Sequence, residues 1–410
     1  MSCWHKIIIV RTIVCTPELL YSCNSFYPMR SFVFTIIAVC TFAFLFPSCD
    51  GEGNRAPLPA GDTLDIRHAS HLQVVECPGY TLVTLRNPWD TLKTLHSYVL
   101  VPRGKEVDTD TLPEGTVVRV PLQRSVIYTA VHCGLVTELG ALDAVAGVCD
   151  AKYIHQPEVQ QRLQQGEVVD LGNGQSPNIE RMIDLMPDAL LLSPFENSGG
   201  YGRVDRLGVP IIECADYMET SALGRAEWMR FYGRLYGRAA EADSLFTIVE
   251  SDYLAWKHMA QACAERPTVF ADLPTGPSAW YVSGGGSTIG RMYADAGARY
   301  LFADNTNSGS TPYSFETIYE KARGADIWLI RYHAPQDRTY RSLAVEYEPY
   351  THFDAYKNRR MYGCNTARSH FYDEVPFHPE RLLAEFAGIF HPELRADSLV
   401  SLHYYTPLVE

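Results

Sequence analysis

The chain has no dense run of lysine or arginine. Its 35 Lys and Arg against 48 Asp and Glu leave a formal net charge of -13, whereas nucleic-acid binding needs clustered cations to neutralise phosphates. Nucleic acid is thereby excluded as a partner. The 11 cysteines include no CxxC pair and no zinc-type spacing. Six of them (Cys77, Cys133, Cys149, Cys214, Cys263 and Cys364) are widely separated and read as buried thiols with no essential disulfide. There is neither a GxGxxG nor a Walker loop, because the turn Gly284-Gly285-Gly286-Ser287 is not followed by a lysine. The stretch Gly286-Ser287-Thr288-Ile289-Gly290 misplaces its serine for a hydrolase elbow. Beyond residue 48 no stretch is long and apolar enough to span a bilayer.

The N-terminus carries a clear signal. Arg30 is a short basic region, Ser31 to Phe46 is apolar and uncharged, and Pro47-Ser48-Cys49 follows as a small-residue processing site. The run falls short of the ~20 residues of a spanning helix. This is the layout of a bacterial lipoprotein signal with Cys49 as the lipidated first mature residue, which anchors an exported protein to a membrane. Residues 1–48 form the signal region, with Met29 read as the true start. Residues 49–65 hold a Gly/Pro/Asn-rich tether.

The remaining chain, 46% hydrophobic and 20% charged, has material for two lobes. Alternating runs at Tyr80 to Leu85, Ser97 to Val101 and Thr116 to Val120 predict a strand-rich start. From Ser125 short apolar strands (Ala144 to Val148, Ala189 to Leu192, Val209 to Ile212) alternate with helices, as in an α/β sheet with crossovers. Between Ala222 and Cys263 apolar residues recur in steps of three and four, predicting a helical strut broken at Gly237. Strands at Thr268 to Ala271, Trp280 to Val282 and Ile327 to Ile330 then repeat the first pattern. The expected architecture is α/β: two Rossmann-like α/β lobes, at 66–221 and 264–410, joined by a long rigid helix at 222–263, with a ligand cleft between them.

Several stretches in order resemble the class III periplasmic substrate-binding proteins of ABC importers, which take ferric siderophores, haem and cobalamin. They are Leu139-Gly140 with Gly147-Val148, Ser176-Pro177-Asn178-Ile179-Glu180 with Pro187-Asp188, Ala226-Glu227-Trp228, Gly284-Gly285-Gly286-Ser287, Asp295-Ala296-Gly297, Ser314-Phe315-Glu316 and His391-Pro392-Glu393-Leu394. The resemblance implies a monomeric, non-enzymatic receptor on the periplasmic side or the cell surface. It would have no catalytic residues, no resident metal and no intrinsic cofactor, and would deliver a small metal chelate to a permease. It also implies that Glu180 and Glu316, one per lobe, dock on basic residues of that permease. Residues 66–121 are longer than the family's minimal pattern.

In such a fold ligands meet loops at strand ends. Tyr128, Tyr153, Phe195, Tyr217, Trp280, Tyr281, Arg331, Tyr332, Arg368 and Phe371 stand at those points. Aromatic faces suit a flat macrocycle or catecholate, and arginines suit an anionic complex. A salt bridge from Arg331 to Asp326 or Asp304 is the competing use of that residue. The alternatives are a receptor for a bare Zn, Mn or Fe ion, which would require convergence of groups such as His132, His155 and His333, and a hydrolase-like α/β enzyme.

Overall fold

The computed structural model describes residues 60–196, 200–275, 279–396 and 401–410. The expected signal region, Cys49 and the first part of the tether lie outside the described residues.

A sheet of five strands comes first: β1 (Asp62–Thr63), β2 (Leu72–Cys77), β3 (Tyr80–Arg86), β4 (Thr94–Pro102) and β5 (Thr116–Val120), neighbouring in chain order. All pairs are antiparallel except β4 with β5. Gly79 closes the β2–β3 hairpin at φ 106, a backbone conformation that suits glycine. Period-two alternation sorts the side chains between two faces. Val74, Val83, Leu85, Tyr98, Leu100 and Val118 enter the main core, while Val75, Leu82, Val99 and Val101 form a smaller cluster.

Three glutamates hold the segment leading into β2. Glu227, wholly buried, accepts the backbone N–H groups of Arg67 (3.0 Å), His68 (2.7 Å) and Ala69 (2.9 Å). Glu219 accepts those of Ser70 and His71, each at 2.9 Å. Glu250 takes Arg67 Nη2 and His68 Nε2, each at 2.6 Å. A buried carboxylate is tolerable only with such donors around it, so this entry segment is built into the molecule.

The first lobe follows, with β6 (Ser125–Ile127), β7 (Val145–Val148), β8 (Val169–Asp170), β9 (Ala189–Leu192) and β10 (Ile211–Glu213). They form a wholly parallel sheet in the order β10-β9-β6-β7-β8. Crossover helices α1 (Ala130–Glu138), α2 (Pro157–Gln165) and α3 (Ile179–Leu185) cover it, so β6, β7 and β9 are buried throughout. Tyr98 ties the extra sheet to this lobe. Its hydroxyl donates to Ile211 O and accepts from Glu213 N, both at 2.9 Å.

The strut is three pieces where the sequence pattern predicts two: α4 (Ala222–Glu227), α5 (Met229–Leu235) and α6 (Ala239–Ala262). Gly237 provides the expected break at φ 67, and an additional interruption falls at Trp228. The 24 residues of α6 correspond to about 36 Å of helix. Ala242, Phe246, Val249, Tyr253 and Ala260 are its buried apolar residues, and Glu250 is buried among them.

The second lobe contains β11 (Thr268–Ala271), β12 (Trp280–Ser283), β13 (Arg299–Tyr300), β14 (Ser310–Tyr313), β15 (Ile327–Tyr332), β16 (Met361–Asn365) and β17 (Thr406–Pro407). Its sheet runs β13-β11-β15-β16-β17, parallel except for the last pair. One expectation is corrected here. The Trp280 strand belongs to an antiparallel ribbon of β12 with β14, outside the parallel sheet.

One apolar cluster runs through both lobes and the strut, including Leu135, Phe231, Phe246, Val282 and Phe386. No helix among the described residues is long and apolar enough to cross a membrane. The six described cysteines are unpaired, and four are buried; Cys77 and Cys263 are partly exposed.

Candidate functional site

Parallel sheets aim their loops from the carboxyl ends of the strands, so those ends fix where a ligand can sit. Tyr128 follows β6, Tyr153 follows β7, Phe195 follows β9 and Tyr217 follows β10, so the first lobe places all four at that edge. Tyr153 and Phe195 are open to solvent. Tyr217 is committed by a 2.5 Å hydrogen bond from its hydroxyl to Pro194 O. The Tyr128 hydroxyl is buried with no hydrogen-bond partner among the described residues, and burial pushes its pKa up.

In the second lobe Arg331 and Tyr332 end β15, and Arg368 follows β16. Arg331 lies over the Phe371 ring at 5.2 Å. Neither Asp326 nor Asp304 is its partner: Asp326 binds Thr268 and Asp304 binds Lys321. The nearest carboxylate is Asp272 at 3.7 Å, beyond hydrogen-bond distance. Burial opposes the Arg331 charge, but Asp272 and nearby tyrosines favour it and hold the guanidinium ionised. Tyr332 accepts a hydrogen bond from Arg338 N (2.9 Å), and Arg368 pairs with Asp337 at the surface (3.0 Å).

Trp280 requires a correction. It is 1% exposed and packs among Phe270, Trp328, Tyr350 and Phe353, so it builds the lobe's core and offers no face to a ligand. Its neighbour Tyr281 points the other way and is exposed.

A cavity of about 210 Å³ brings Arg331 and Phe371 together with Arg225, Thr288, Ile289 and Tyr372. It lies where α4 meets the helix α7 (Thr288–Asp295) and the short helix α8 (Phe371–Glu374). Thr288 donates to Glu219 O across this junction at 3.2 Å. Arg225 is the residue the sequence reading missed. Its Nε donates to Asp216 Oδ2 at 3.0 Å, while Asp216 Oδ1 accepts from Tyr232 OH (2.8 Å) and His132 Nε2 (3.0 Å). Burial opposes the Asp216 charge, yet His132 and Arg225 outweigh it and hold the pKa at about 2. His132 is likewise pushed up to about 10 against its burial by Cys214 and Asp216. A fixed ionic chain thus positions the Arg225 guanidinium at the cavity wall.

The larger cavity, about 630 Å³, runs between α6 and the helix at Pro379–Phe390 and is lined by Glu138, Asp252, Glu374, Glu380 and Glu385 among others. Arg381 and His378 also line it, but the carboxylates outnumber these cations, so the wall disfavours an anionic ligand.

The Gly-rich turn does not cradle a phosphate. A Cβ at Gly284, Gly285 or Gly286 would stand 2.1–2.4 Å from the carbonyl oxygens of Asn307, Ala303 or Thr306, so the glycines admit a closely packed backbone. Ser287 is buried, donates to Gly284 O at 2.6 Å and caps α7 by accepting from Gly290 N. It is therefore occupied structurally. His132, His155 and His333 do not converge, their partners being Asp216, Asp373 and Thr366.

Glu180 and Glu316 occupy equivalent places. Each is the second residue of a helix capped by the side chain of Asn178 or Ser314, and each is exposed.

Comparison with known proteins completes the picture. A family described as periplasmic binding protein matches residues 126–367, more than half of the chain. An uncharacterized lipoprotein of Methanocaldococcus jannaschii is 24% identical over 288 residues, covering 68% of this chain and 67% of the relative. A possible iron-binding (periplasmic solute-binding) protein of Staphylococcus epidermidis superposes with a TM-score of 0.53 at 16% identity, over 66% of this chain and 99% of that one. A periplasmic heme binding protein of Pseudomonas aeruginosa gives 0.51 at 18% identity, over 66% and 93%.

Proposed function

The chain belongs to the class III periplasmic binding protein family, and on that premise we propose that it is an extracytoplasmic receptor for an anionic metal chelate. The ligands that fit are haem and ferric siderophores with carboxylate or catecholate arms, cobalamin, whose one anionic group is a phosphodiester, being the poorer match; the chelate is delivered to an ABC permease without chemical change. The supporting observation is the cavity with guanidinium groups from both sides, Arg225 fixed by Asp216 and Arg331 with no hydrogen-bond partner among the described residues. Its 210 Å³ is below the ~300 Å³ at which small-molecule sites begin. It therefore takes one carboxylate-bearing or catecholate arm, while the body of the chelate lies in the open cleft near Tyr153 and Phe195. Glu180 and Glu316 serve the permease, the protein acts as a monomer, and Cys49 carries the lipid that holds it at the membrane. The lipoprotein relatives support the last point.

The test is a screen of the purified protein against ferric siderophores, haem and cobalamin by native mass spectrometry, followed by titration of variants. Arg225→Ala and Arg331→Ala should each weaken binding by one to two decades, since a hydrogen bond to a charged group contributes about 1.5–3 kcal/mol. Wild-type affinity in both variants would place the pocket elsewhere.

A further inference from the structure

His155, His370 and Asp373 lie outside the arginine cavity, and they come from different lobes. His155 sits in the loop between β7 and α2, a loop held by Gln160 Nε2 donating to Ile154 O (2.6 Å) and Ala151 O (2.9 Å). His370 stands at the N-terminus of α8 and Asp373 lies within that helix, in the second lobe. Across the junction His155 Nδ1 is 2.9 Å from Asp373 Oδ2, and His370 Nδ1 is 3.7 Å from the same oxygen. The two imidazole rings stand 5.7 Å apart between centroids, nearly perpendicular. All three ligand atoms lie within 4.8 Å of one another.

We propose that these three residues form a binding site for a divalent transition-metal ion that clasps the two lobes together. Two imidazole nitrogens and one carboxylate oxygen make a donor set suited to Zn²⁺ and its borderline neighbours Co²⁺ and Ni²⁺. With bonds of about 2.1 Å, tetrahedral ligand atoms stand about 3.4 Å apart. The 2.9 and 3.7 Å separations bracket that spacing and the two imidazole ligand atoms lie within 4.8 Å, so side-chain rotations can complete the site. The carboxylate is the floor, with 5% of its side chain exposed, while the imidazoles at 41% and 42% leave an entry path and room for a fourth ligand. Beside them Gln156 holds a buried Oε1 with no hydrogen-bond partner among the described residues.

The position gives such an ion consequences for the cleft. The helix α8 presents Phe371 and Tyr372 to the arginine cavity and Asp373 to His155. An ion at the clasp fixes both that wall and the approach of the lobes. The inference does not rest on the chelate reading, because only a bare ion is involved.

A second cluster, Cys263, His391 and Glu393, has a similar span but lies at the far end of α6. It differs in carrying a thiol, which the experiment uses. The purified protein, stripped with a chelator, is titrated with Zn²⁺ by calorimetry and with Co²⁺ by visible absorption, no organic chelate being present. The expected result is one equivalent bound, a Co²⁺ spectrum without a thiolate charge-transfer band, and a higher melting temperature with the ion than without. His370→Ala and Asp373→Asn should each lower affinity about a hundredfold or more, at least the cost of losing an outer-shell partner. His258→Ala, an exposed histidine on α6, should change nothing. To separate lost binding from misfolding, ion-free melting temperatures of the variants are compared with wild type. A thiolate band, unchanged affinity in both variants, or no binding at millimolar ion would each overturn the clasp while leaving the chelate titrations untouched.

Discussion

The lobes are also joined by an ion pair whose pH dependence can be worked out in advance. His378 Nε2 donates to Glu138 Oε2 of the first lobe at 2.7 Å, and Nδ1 donates to Glu380 Oε1 at 2.9 Å. With both nitrogens donating, the ring is an imidazolium. Burial opposes that charge, but Glu138 and Glu380 prevail and push the pKa up to about 9. A histidine raised in the folded state contributes stability that is complete below its unfolded pKa of about 6.5 and lost as pH rises through about 9. Raising the pKa from about 6.5 to about 9, at about 1.36 kcal/mol per tenfold change in proton affinity, has a ceiling near 3.4 kcal/mol. Glu138 is 39% exposed, so solvent screening reduces this to about 1–2 kcal/mol. Urea unfolding of wild type and His378→Gln at about pH 6 and about pH 9.5 measures it. Wild type should lose about 1–2 kcal/mol more than the variant over that interval, and the contribution of His132, present in both, cancels. Identical pH dependence in the two proteins would refute the reasoning.

The other expectations are briefer. Glu227→Gln should cost about 2–4 kcal/mol, because a neutral amide replaces a buried carboxylate serving three backbone donors; urea unfolding measures it, with earlier proteolysis at residues 60–121 as a second readout. Cys49→Ala should abolish acyl mass and detergent-phase partitioning, and unchanged partitioning would refute the anchor. Glu180→Lys and Glu316→Lys should leave ligand affinity and melting temperature intact while reducing transport in reconstituted vesicles, most in the double variant; lost ligand binding would refute the docking role.

Much of the fold was legible because parallel strands buried on both faces appear as uninterrupted apolar runs. Val269 to Ala271 and Ile327 to Ile330 are such runs, on the adjacent interior strands β11 and β15 of the second sheet. The strut was legible for a related reason, since one helical face must stay apolar through all its turns. The ribbon of β12 and β14 was not. Trp280 inward and Tyr281 outward is the alternation of any half-buried strand, and nothing local tells a strand which partner it will take. Nor does a sequence show that Glu227 is buried, because the three N–H groups that make its burial possible lie about 160 residues earlier.

The site was harder to read for a physical reason. An aromatic at a strand end is equally suited to a cleft and to a core, and the difference is decided by what packs against it. Phe270, Trp328 and Phe353 close over Trp280, whereas the Arg331 guanidinium lies over Phe371 beside an open cavity. Arg225 gave no sign at all, because one arginine on a helix usually faces solvent. Its importance comes from Asp216 behind it, and Asp216 stays ionised in the core only because His132 and Tyr232 also reach it. Charge at the cavity therefore depends on four residues spread from 132 to 232, so changing Asp216 should disturb Arg225 as surely as changing Arg225 itself.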